Sequence, residues 1–412
     1  MDHPQFFFMA ILWMVIWGAV GAVMIRRAYF ARDLDVTQAR AVGVAVGAAT
    51  GPFGLIPLYL KTPELTRRWR VLPWLGVAAV FTAAFALSDP DNVCVTSGSF
   101  VASQVTNGLI IGTIYGLMAL GLALIFSIIG IVSFSHGEFY MIGGMVVYYM
   151  TEVWLPGAGP VLAVIFACVV TFMIGALFER AFLTPIYDGR VERPNEYAIL
   201  VTFGLAFFLQ YLVQGLSGAN PVKARPFFEL PKTNIPEDGS ILATTRSNIT
   251  LFDTISVSTP RLTAAVISVL MLGLLIWFLY KTWWGKGLRA VAQDRQAAAV
   301  AGINPKVMNM VAFGLGCMLA GLAGAVLVQA FSWLPQTGMI PALRAFVIIV
   351  LGGLGSLPGA FIGGLLLGLI EATGVGCMPD PTRAAAYLPA YGMIVLTLVL
   401  LLKPTGLFGK KI

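Results

Sequence analysis

The sequence predicts an all-α, polytopic integral membrane protein with about 9–11 transmembrane helices and additional short broken or re-entrant helices. Three observations lead to this fold class. Of the 412 residues, 58% are hydrophobic and only 11% are charged, whereas about a quarter of the residues in a soluble domain are charged. Apolar runs of about 20 residues, the length of a membrane-spanning helix, recur along the chain. The Lys and Arg residues lie mostly in short segments between these runs, where they orient a membrane protein.

Taken in order, the apolar runs define the candidate spans. Two segments, 343–355 and 359–373, are punctuated by Gly and Pro and are too short to cross a bilayer comfortably. A run over 41–60 contains Gly51-Pro52 near its middle and has basic residues on both flanks. We expect a re-entrant or surface-lying hairpin there, with an ordinary span as the alternative. The other runs are expected to cross the membrane and lie near 6–25, 71–87, 105–131, 137–153, 159–178, 197–216, 261–280, 307–330 and 386–402.

The distribution of basic residues sets the expected orientation. Most Lys and Arg residues fall in the segments 26–40, 61–70, 179–196 and 281–306 and in the C-terminal tail, so these segments are expected in the cytoplasm. This assignment places the N-terminus outside and the C-terminus inside. The first apolar run follows a short segment without Lys or Arg and is too long for a secretory signal, so it is expected to be a true first span.

A polar, acidic stretch at 88–100 divides the chain. It joins an N-terminal membrane extension, residues 1–98, to the remainder, residues 99–412. The longest outside loop, 217–260, contains several Pro residues and a strand-like alternation over Ile249–Val257. A small lid or docking surface and an irregular loop both fit this segment.

The residue types that carry enzyme chemistry do not form recognisable constellations. The chain has only two His residues and contains no Ser/His/Asp arrangement, metal-ligand cluster or Walker A loop, so we expect no catalytic residue, metal or cofactor. Any ATP hydrolysis would fall to another chain. The net charge of +7 lies mostly in short loops and does not indicate nucleic-acid binding. The four Cys residues (94, 168, 317 and 377) lack metal or redox spacing, and free structural thiols are expected, although Cys94 and Cys377 are candidates for the same side.

The stretch from Gly285 to Asn304 is a polar, Ala-rich and basic island between two membrane-length apolar runs. Its Ala residues favour a helix, and Gly302 followed by Pro305 indicates where that helix stops. A short helix in this position is neither a membrane span nor the core of a domain. We therefore expect a surface helix that docks on a partner, with a solvated linker as the alternative.

This stretch resembles the cytoplasmic coupling loop of ABC-importer permeases, in the variant found in LivH-type branched-chain amino acid permeases. That family has the pattern G-x-x-x-R-A-x-A-E-D, followed by a short helix that ends in G-I. Gln293 stands where the family commonly has Glu, which weakens a specific ion pair with a partner and leaves the Ala/Gly surface intact. The resemblance implies that the loop 281–306 couples the chain to an ATPase, and the matching residues are Gly285, Arg289, Ala290, Ala292, Asp294, Ala298, Gly302 and Ile303.

Two further segments resemble the same family. The run Arg344–Ala360 matches a Gly-rich segment of LivH-type permeases. Ser133–Glu138 is similar to the family's N-F-x-H-G-E, with Ser133 in place of the common Asn. Because ionisable groups are costly in hydrocarbon, His136 and Glu138 either cap helix ends at a bend or line the translocation path.

Small and polar residues mark particular helix faces in the family region. Stripes of Gly spaced by four allow helix backbones to approach closely in lipid, and a helix broken at Ser356–Gly359 can line a path. Asn107 shares a helix face with Tyr115, and that face is either wet or engaged in interhelical hydrogen bonds. The stripes are Gly108, Gly112 and Gly116, then Gly355, Gly359 and Gly363. The candidates for the path are Asn107, Tyr115, His136, Glu138, Ser356 and Gly359.

The resemblance implies one subunit of a bacterial ABC importer in the inner (plasma) membrane. In that family two related permeases pair across a central path, and two ATP-binding subunits grip their coupling loops. A periplasmic solute-binding protein delivers the solute, which crosses the lipid bilayer by alternating access. Branched-chain amino acids are the family default, and relatives use other amino acids, urea, short amides and small carboxylates.

The alternative class is an ion-gradient-driven secondary transporter or channel for a small solute. Such a protein needs an ionisable pair or a Na⁺ site near the membrane midplane. The ionisable candidates, most of them near predicted span ends, are His136, Glu138, Glu152, Glu179 and Glu371.

Overall fold

A computed structural model of the chain describes residues 94, 97–157, 159–187, 189–228, 242–244, 248–251, 255–377, 384–403 and 405–409. The chain divides into two units between Asn92 and Val93, and all described residues belong to the second unit. The predicted spans near 6–25 and 71–87 and the predicted hairpin at 41–60 lie outside the described residues.

Helices make up most of the described chain. In order they are α1 (Gly98–Ile129), α2 (His136–Tyr148), α3 (Pro160–Phe178), α4 (Thr184–Tyr187), α5 (Pro194–Ser217), α6 (Thr259–Lys281), α7 (Trp283–Gln293), α8 (Arg295–Val300), α9 (Pro305–Leu327), α10 (Met339–Gly352), α11 (Leu357–Gly376) and α12 (Leu388–Leu402). Turns of π-helix follow α2 at Tyr149–Trp154 and α3 at Glu179–Leu183, and a 3₁₀ turn at Ala385–Tyr387 precedes α12.

Six helical segments among the described residues are long and apolar enough to cross a membrane. They are α1, α3 with its continuation to Tyr187, α5, α6, α9 and α11. The α5 helix leaves most of its apolar side chains exposed, which is expected of a helix that faces lipid. These observations confirm the all-α polytopic membrane class.

The α9 helix lies at the centre of the fold and is buried along most of its length. Small residues allow its neighbours to approach closely. A Cβ atom built on Gly321 would lie 2.5 Å from Thr171 Oγ1 of α3, and one built on Gly316 would lie 2.6 Å from Ile125 Cδ1 of α1. Such contacts replace the hydrophobic driving force, which is absent between helices in lipid.

The Gly stripe of α1 packs against α11, and the two helices run antiparallel. A Cβ atom on Gly108 would lie 2.9 Å from the carbonyl oxygen of Gly368, and one on Gly112 would lie 2.8 Å from Leu365 Cα. Neither position has room for a side chain, so the stripe fixes how closely these two helices pack.

The prediction that 359–373 is too short for a crossing is wrong. The α11 helix has 20 residues, which corresponds to about 30 Å. Pro358 stands in the first turn, where its missing N–H costs nothing, so it starts the helix and does not break it. The preceding α10 has 14 residues and remains short. The turn between the two helices uses Gly353 and Gly355, whose φ angles are 103° and 81°.

A small antiparallel sheet follows α5, with strands in the order β1 (Leu242–Thr244), β2 (Asn248–Leu251) and β3 (Ile255–Ser258). Leu242 pairs with Leu251, and Asn248 pairs with Ser258. The strand-like alternation in this loop therefore forms two strands, so the described part of the loop is not wholly irregular. The strand β3 leads directly into α6.

The expectation of free thiols is wrong for two of the four Cys residues. Cys94 and Cys377 form a disulfide that links positions 283 residues apart, with their Cα atoms 5.3 Å from each other. The close pairing of α1 with α11 brings the two Cys residues together, because Cys94 precedes α1 and Cys377 follows α11. Cys168 and Cys317 are free.

Candidate functional site

Two regions hold most of the residues singled out from the sequence. The first is the α7–α8 surface, which comprises residues 283–300 and the turn 301–304 that follows. The second is the interior polar cluster of Tyr115, Arg344 and Glu371, with the adjacent start of α2.

Side-chain caps shape the α7–α8 surface. Thr282 Oγ1 accepts a hydrogen bond from the Gly285 N–H (3.1 Å) and caps α7. Asp294 Oδ1 accepts from the N–H groups of Gln296 (2.8 Å) and Ala297 (3.0 Å) and caps α8. Polar caps of this kind satisfy the free N–H groups of a helix start. The sequence thus specifies a sharp corner between two short helices, and the carboxylate of Asp294 is used inside the chain.

The end of α8 is equally well defined. Gly302 has φ of 84°, a conformation that favours Gly, and its N–H bonds to the carbonyl oxygen of Ala299 (3.0 Å). Asn304 Oδ1 then accepts from the Lys306 N–H (3.1 Å) and caps α9. The surface helices are therefore continuous with the central helix of the fold.

Arg295 ties this surface to α1. Its Nη2 atom donates to the carbonyl oxygens of Ile128 (3.0 Å) and Ile129 (2.8 Å) at the end of α1. The guanidinium also lies over the ring of Tyr187, 4.8 Å from its centroid. A cation is favoured at a helix C-terminus because the last carbonyl groups carry partial negative charge. Movement of α8 would therefore be transmitted to α1.

The predicted coupling residues differ in how far they are exposed to solvent. Gly285 and Ala298 are buried inside this chain, and Arg289, Ala290 and Ile303 are half-buried. The Arg289 guanidinium lies 4.5 Å from the centroid of the Tyr280 ring. The exposed members are Ala292, Asp294 and Gly302.

The exposed tip of α8 is apolar. Val300 is 91% exposed, the largest value among the large hydrophobic residues of the described chain. Ala297, Ala299 and Ala301 beside it are also exposed. At the start of α7, Trp283 is 64% exposed. A cluster of exposed apolar side chains on a polar helix pair is typical of a docking surface.

The start of α2 is buried in the interior. His136 Nε2 donates to the carbonyl oxygen of Met118 (2.9 Å) in α1, and Ser133 and Ser135 share a hydrogen bond of 3.0 Å. Within the described part of the chain, His136 Nδ1 and Glu138 Oε2 are buried without a hydrogen-bond partner. These side chains therefore lie inside the chain and not at its surface.

The starts of α2 and α10 meet at this point. A Cβ atom on Gly137 would lie 2.6 Å from Ala342 Cβ, and one on Gly338 would lie 3.2 Å from the Glu138 nitrogen. Two helix N-termini, each with partial positive charge, thus lie side by side, with the start of α2 buried and the first residues of α10 exposed. Such half-helix starts are found where transporters bind anionic groups of their solutes.

A buried ion pair crosses the α10–α11 hairpin. Arg344 Nε lies 3.1 Å from Glu371 Oε1, and the Tyr115 hydroxyl donates to Glu371 Oε2 (3.1 Å). The Arg344 guanidinium also lies 5.0 Å from the centroid of the Tyr115 ring. The side chains of Arg344 and Glu371 are 17% and 6% exposed. Removing one partner of a pair buried this deeply costs about 3–5 kcal/mol.

The sequence candidates for the path are only partly brought together. Tyr115 and the Met118 carbonyl that binds His136 lie on successive turns of α1. Asn107 is two turns away from Tyr115 on α1, about 12 Å along the axis. Ser356 and Gly359 lie at the start of α11, where Ser356 Oγ accepts from the Gly359 N–H (3.2 Å) and caps the helix. They are about 18–22 Å along α11 from Glu371, so they are not part of the interior polar cluster.

Two functional candidates were missed from the sequence. In the sequence, Arg295 is one of several basic residues of the Gly285–Asn304 stretch, and Arg344 stands only as the first residue of the run Arg344–Ala360. A signal for Arg344 was present, because it and Glu371 are charges in otherwise apolar segments on either side of a Gly-rich turn. The antiparallel pairing of a hairpin brings such positions face to face.

Comparison with known proteins agrees with these features. Residues 104–403 match the model of the family described as branched-chain amino acid transport system / permease component. The chain is 31% identical over 314 residues to the high-affinity branched-chain amino acid transport system permease protein BraD of Pseudomonas aeruginosa, covering 74% of this chain and 95% of the relative. It is 30% identical over 322 residues to the corresponding permease protein LivH of Escherichia coli, covering 76% of this chain and 96% of the relative. No solved structure matches the chain.

The match spans every helix described above except the first six residues of α1. It includes the α7–α8 surface and the interior polar cluster. The secondary-transporter alternative is not favoured, because the relatives are permease components of high-affinity transport systems. This chain belongs to the family of branched-chain amino acid transport system permease components.

Proposed function

We propose that the chain is a transmembrane permease subunit of a bacterial ABC importer for branched-chain or related amino acids. The solute crosses by alternating access, and partner ATPases drive the cycle. The observation that carries this proposal is the α7–α8 surface. It presents an exposed apolar tip at Val300, and Arg295 joins its base to the end of α1.

The proposed complex contains this chain, a second related permease subunit, two ATP-binding subunits and a periplasmic solute-binding protein. The ATP-binding subunits dock on the α7–α8 surface through its exposed residues, including Ala292, Gly302 and Val300. The buried residues Gly285 and Ala298 hold the surface in shape. ATP-driven closure of the ATPases moves α8, and the Arg295 bonds carry that movement to α1. The relatives, which are permease proteins of branched-chain amino acid transport systems, support both the class and the solute.

The proposed location is the inner membrane, with the α7–α8 surface and the C-terminus in the cytoplasm and the N-terminus outside. The disulfide supports this orientation. Cys94 precedes the start of α1, whereas Arg295 bonds to its end, and the 32 residues of α1 separate these points by about 48 Å. Disulfides persist in oxidising compartments outside the cytoplasm. The positive-inside distribution of Lys and Arg supports the same assignment.

A gentle-detergent pull-down of the tagged chain from its native membranes tests the proposal. The co-purifying proteins are identified, ATP hydrolysis is assayed, and the complex is reconstituted for uptake of labelled leucine, isoleucine and valine. Recovery of a second permease and Walker-motif ATPases, with ATP-dependent uptake, is expected. A chain that purifies alone without ATPase activity, under conditions that preserve other membrane complexes, would contradict the proposal.

A further inference from the structure

We infer that Arg344, Glu371 and Tyr115 form the contact point for the charged ends of an amino acid solute during its passage through the permease. This inference rests on the proposed function and deepens it. It assigns the carboxylate of the solute to Arg344 and its ammonium group to Glu371.

The position of the Arg344–Glu371 pair is unusual for a membrane protein. Arg344 and Glu371 lie in helices that otherwise consist of apolar and small residues, and both side chains are largely buried. Ionisable residues within membrane segments are expensive, and a buried ion pair is weak evidence for stability. Close approach at a Gly residue already joins α10 to α11, where a Cβ atom on Gly363 would lie 2.9 Å from the carbonyl oxygen of Ile348. The pair is therefore not needed to bring these helices together.

Arg344 has unused hydrogen-bonding capacity. A guanidinium carries five N–H donors, arranged in a fork that matches a carboxylate. Only Nε is engaged in a hydrogen bond with the described residues, and the four N–H groups on Nη1 and Nη2 have no such acceptor there. The side chain retains 17% exposure, so these donors are not fully enclosed by this chain. A solute carboxylate can accept two parallel hydrogen bonds from this fork.

Glu371 can contact the positively charged ammonium group of the solute. Glu371 accepts one hydrogen bond on each oxygen, from Arg344 Nε and from the Tyr115 hydroxyl. A carboxylate offers about four acceptor positions, so two remain for an ammonium group. Tyr115 holds the carboxylate from the side of α1 and is a positioning residue. The cluster thus presents donors and acceptors next to each other, as the two ends of an α-amino acid require.

A solute must also be able to reach the cluster. Along α1, the Gly stripe turns towards α11 and is buried, whereas an adjacent face remains partly exposed down to Tyr115. Its four residues extend over about 16 Å towards the cluster, and Gln104 and Asn107 among them are polar. The residues of this partly exposed face are Gln104, Asn107, Ile111 and Tyr115. Asn107, a sequence candidate for the path, thereby gains a place on the approach to the cluster.

The chemistry that this cluster recognises is the zwitterionic head shared by all α-amino acids. It contains no group that reads the aliphatic side chain. Selection among amino acids then remains with the solute-binding protein, while neutral amides or urea would lack both charges and gain little from the cluster. The competing explanation is that the pair only fastens α10 to α11.

The test uses the complex of this chain with its partner permease, ATPases and binding protein, reconstituted in proteoliposomes. Uptake of tritiated leucine and ATP hydrolysis are measured in the same vesicles, which gives leucine moved per ATP. The main variant is the double neutralisation Arg344→Met with Glu371→Gln, which leaves no unpaired charge. The matched control is Arg193→Met with Glu196→Gln, because that pair lies on the surface at 3.2 Å.

We expect the double variant to assemble and to keep the ATPase stimulation by loaded binding protein, while leucine per ATP falls about tenfold or more, the effect of losing charge-assisted hydrogen bonds. The surface control keeps the ratio of the unaltered complex. A double variant that moves leucine at the unaltered ratio would overturn the inference and leave the pair as a fastening.

If the double variant does not assemble, a second variant, Arg344→Lys, tests whether Arg344 binds the carboxylate of the solute. Lys keeps the charge and the pair with Glu371 but lacks the fork, so the KM for leucine delivered by its binding protein should rise about tenfold while assembly is unchanged. An unchanged KM would overturn the inference. If the unaltered complex itself moves no leucine with ATP, the proposed function fails, and that result is separate from the behaviour of the variants.

Discussion

Arg295, the first residue of α8, donates a hydrogen bond of 2.8 Å from Nη2 to the carbonyl oxygen of Ile129, the last residue of α1. The surface helix is thus bonded to the end of the helix that carries Tyr115 at the interior polar cluster. This relationship gives the α7–α8 surface a physical connection to the proposed path. It also makes Arg295 the residue at which docking and transport are most easily separated.

Arg295→Met should uncouple ATP hydrolysis from transport. The variant loses two charge-assisted hydrogen bonds to α1, each worth about 1.5–3 kcal/mol, while the exposed docking face is unchanged. We expect ATPases to co-purify as before and leucine uptake per ATP to fall severalfold. Arg193→Met, which removes an exposed charge of little energetic weight, serves as the control. Equal uptake per ATP in Arg295→Met and the unaltered complex would contradict the connection.

Val300→Glu should weaken docking of the ATPases. Val300 is almost fully exposed, so the change does not disturb the packing of this chain. A charge buried without a partner in an interface costs several kcal/mol. We expect less ATPase in the pull-down and a loss of uptake, whereas Val300→Thr, which is of similar size and uncharged, keeps both. Ala298 is unsuitable for this purpose, because it is buried and a charge there would first disrupt the chain's own fold. Normal ATPase recovery with Val300→Glu would exclude Val300 from the interface.

Loss of the disulfide should lower thermal stability. Cys94→Ser removes a cross-link between positions 283 residues apart, and native disulfides of this kind contribute about 2–4 kcal/mol. The Tm measured in detergent should fall by several degrees, and a reducing agent should have the same effect on the unaltered chain only. Cys168→Ser removes a free thiol and provides the control. An unchanged Tm for Cys94→Ser would show that the cross-link does not stabilise the protein.

The α1–α11 contact should not tolerate added side chains. A Cβ atom at Gly112 meets backbone atoms of α11 at 2.8 Å, so Gly112→Val forces the helices apart and costs about 1–3 kcal/mol. We expect a lower Tm and reduced assembly in detergent. Gly204→Val on α5 is the matched control, because no atom lies within 4 Å of a Cβ there. Equal stability of both variants would argue against close packing of α1 on α11.

The role of the N-terminal extension can be tested by truncation, and the disulfide determines where to cut. A chain that starts at Ser99 loses Cys94 together with the extension, so its defects would be ambiguous. A chain that starts after Asn92 keeps the cross-link. If the extension is accessory, this chain assembles with its partners and transports leucine normally. Loss of assembly would make the extension part of the permease proper.

The α7–α8 helices and their ends can be predicted from the sequence, for a physical reason. The α7–α8 surface is a local feature, because a polar Ala-rich island between membrane-length apolar runs has few other structures available. The capping residues Asp294 and Asn304 and the stop at Gly302 all lie within it. Local chemistry of this kind is visible in a single sequence.

The features that the sequence did not reveal depend on tertiary packing. The disulfide requires α1 and α11 to run antiparallel, and no spacing of Cys residues carries that information. The Arg344–Glu371 pair forms only when the α10–α11 hairpin closes. The Gly- and Pro-punctuated sequence around Ser356–Gly359 predicts a broken helix, whereas Pro358 stands in the first turn of a helix that packs on the Gly stripe of α1.

Site-specific photo-crosslinking from position 300 tests directly whether an ATPase subunit binds the α7–α8 surface. A photoreactive amino acid replaces Val300 in the full chain, the cells are irradiated, and the cross-linked partner is identified by mass spectrometry. We expect the probe at position 300 to form an adduct with a Walker-motif ATPase subunit. The same probe at Val153, which is exposed beyond α2, should form no such adduct. If position 300 gives no ATPase adduct while the ATPase co-purifies with the chain, the α7–α8 surface is not the coupling site.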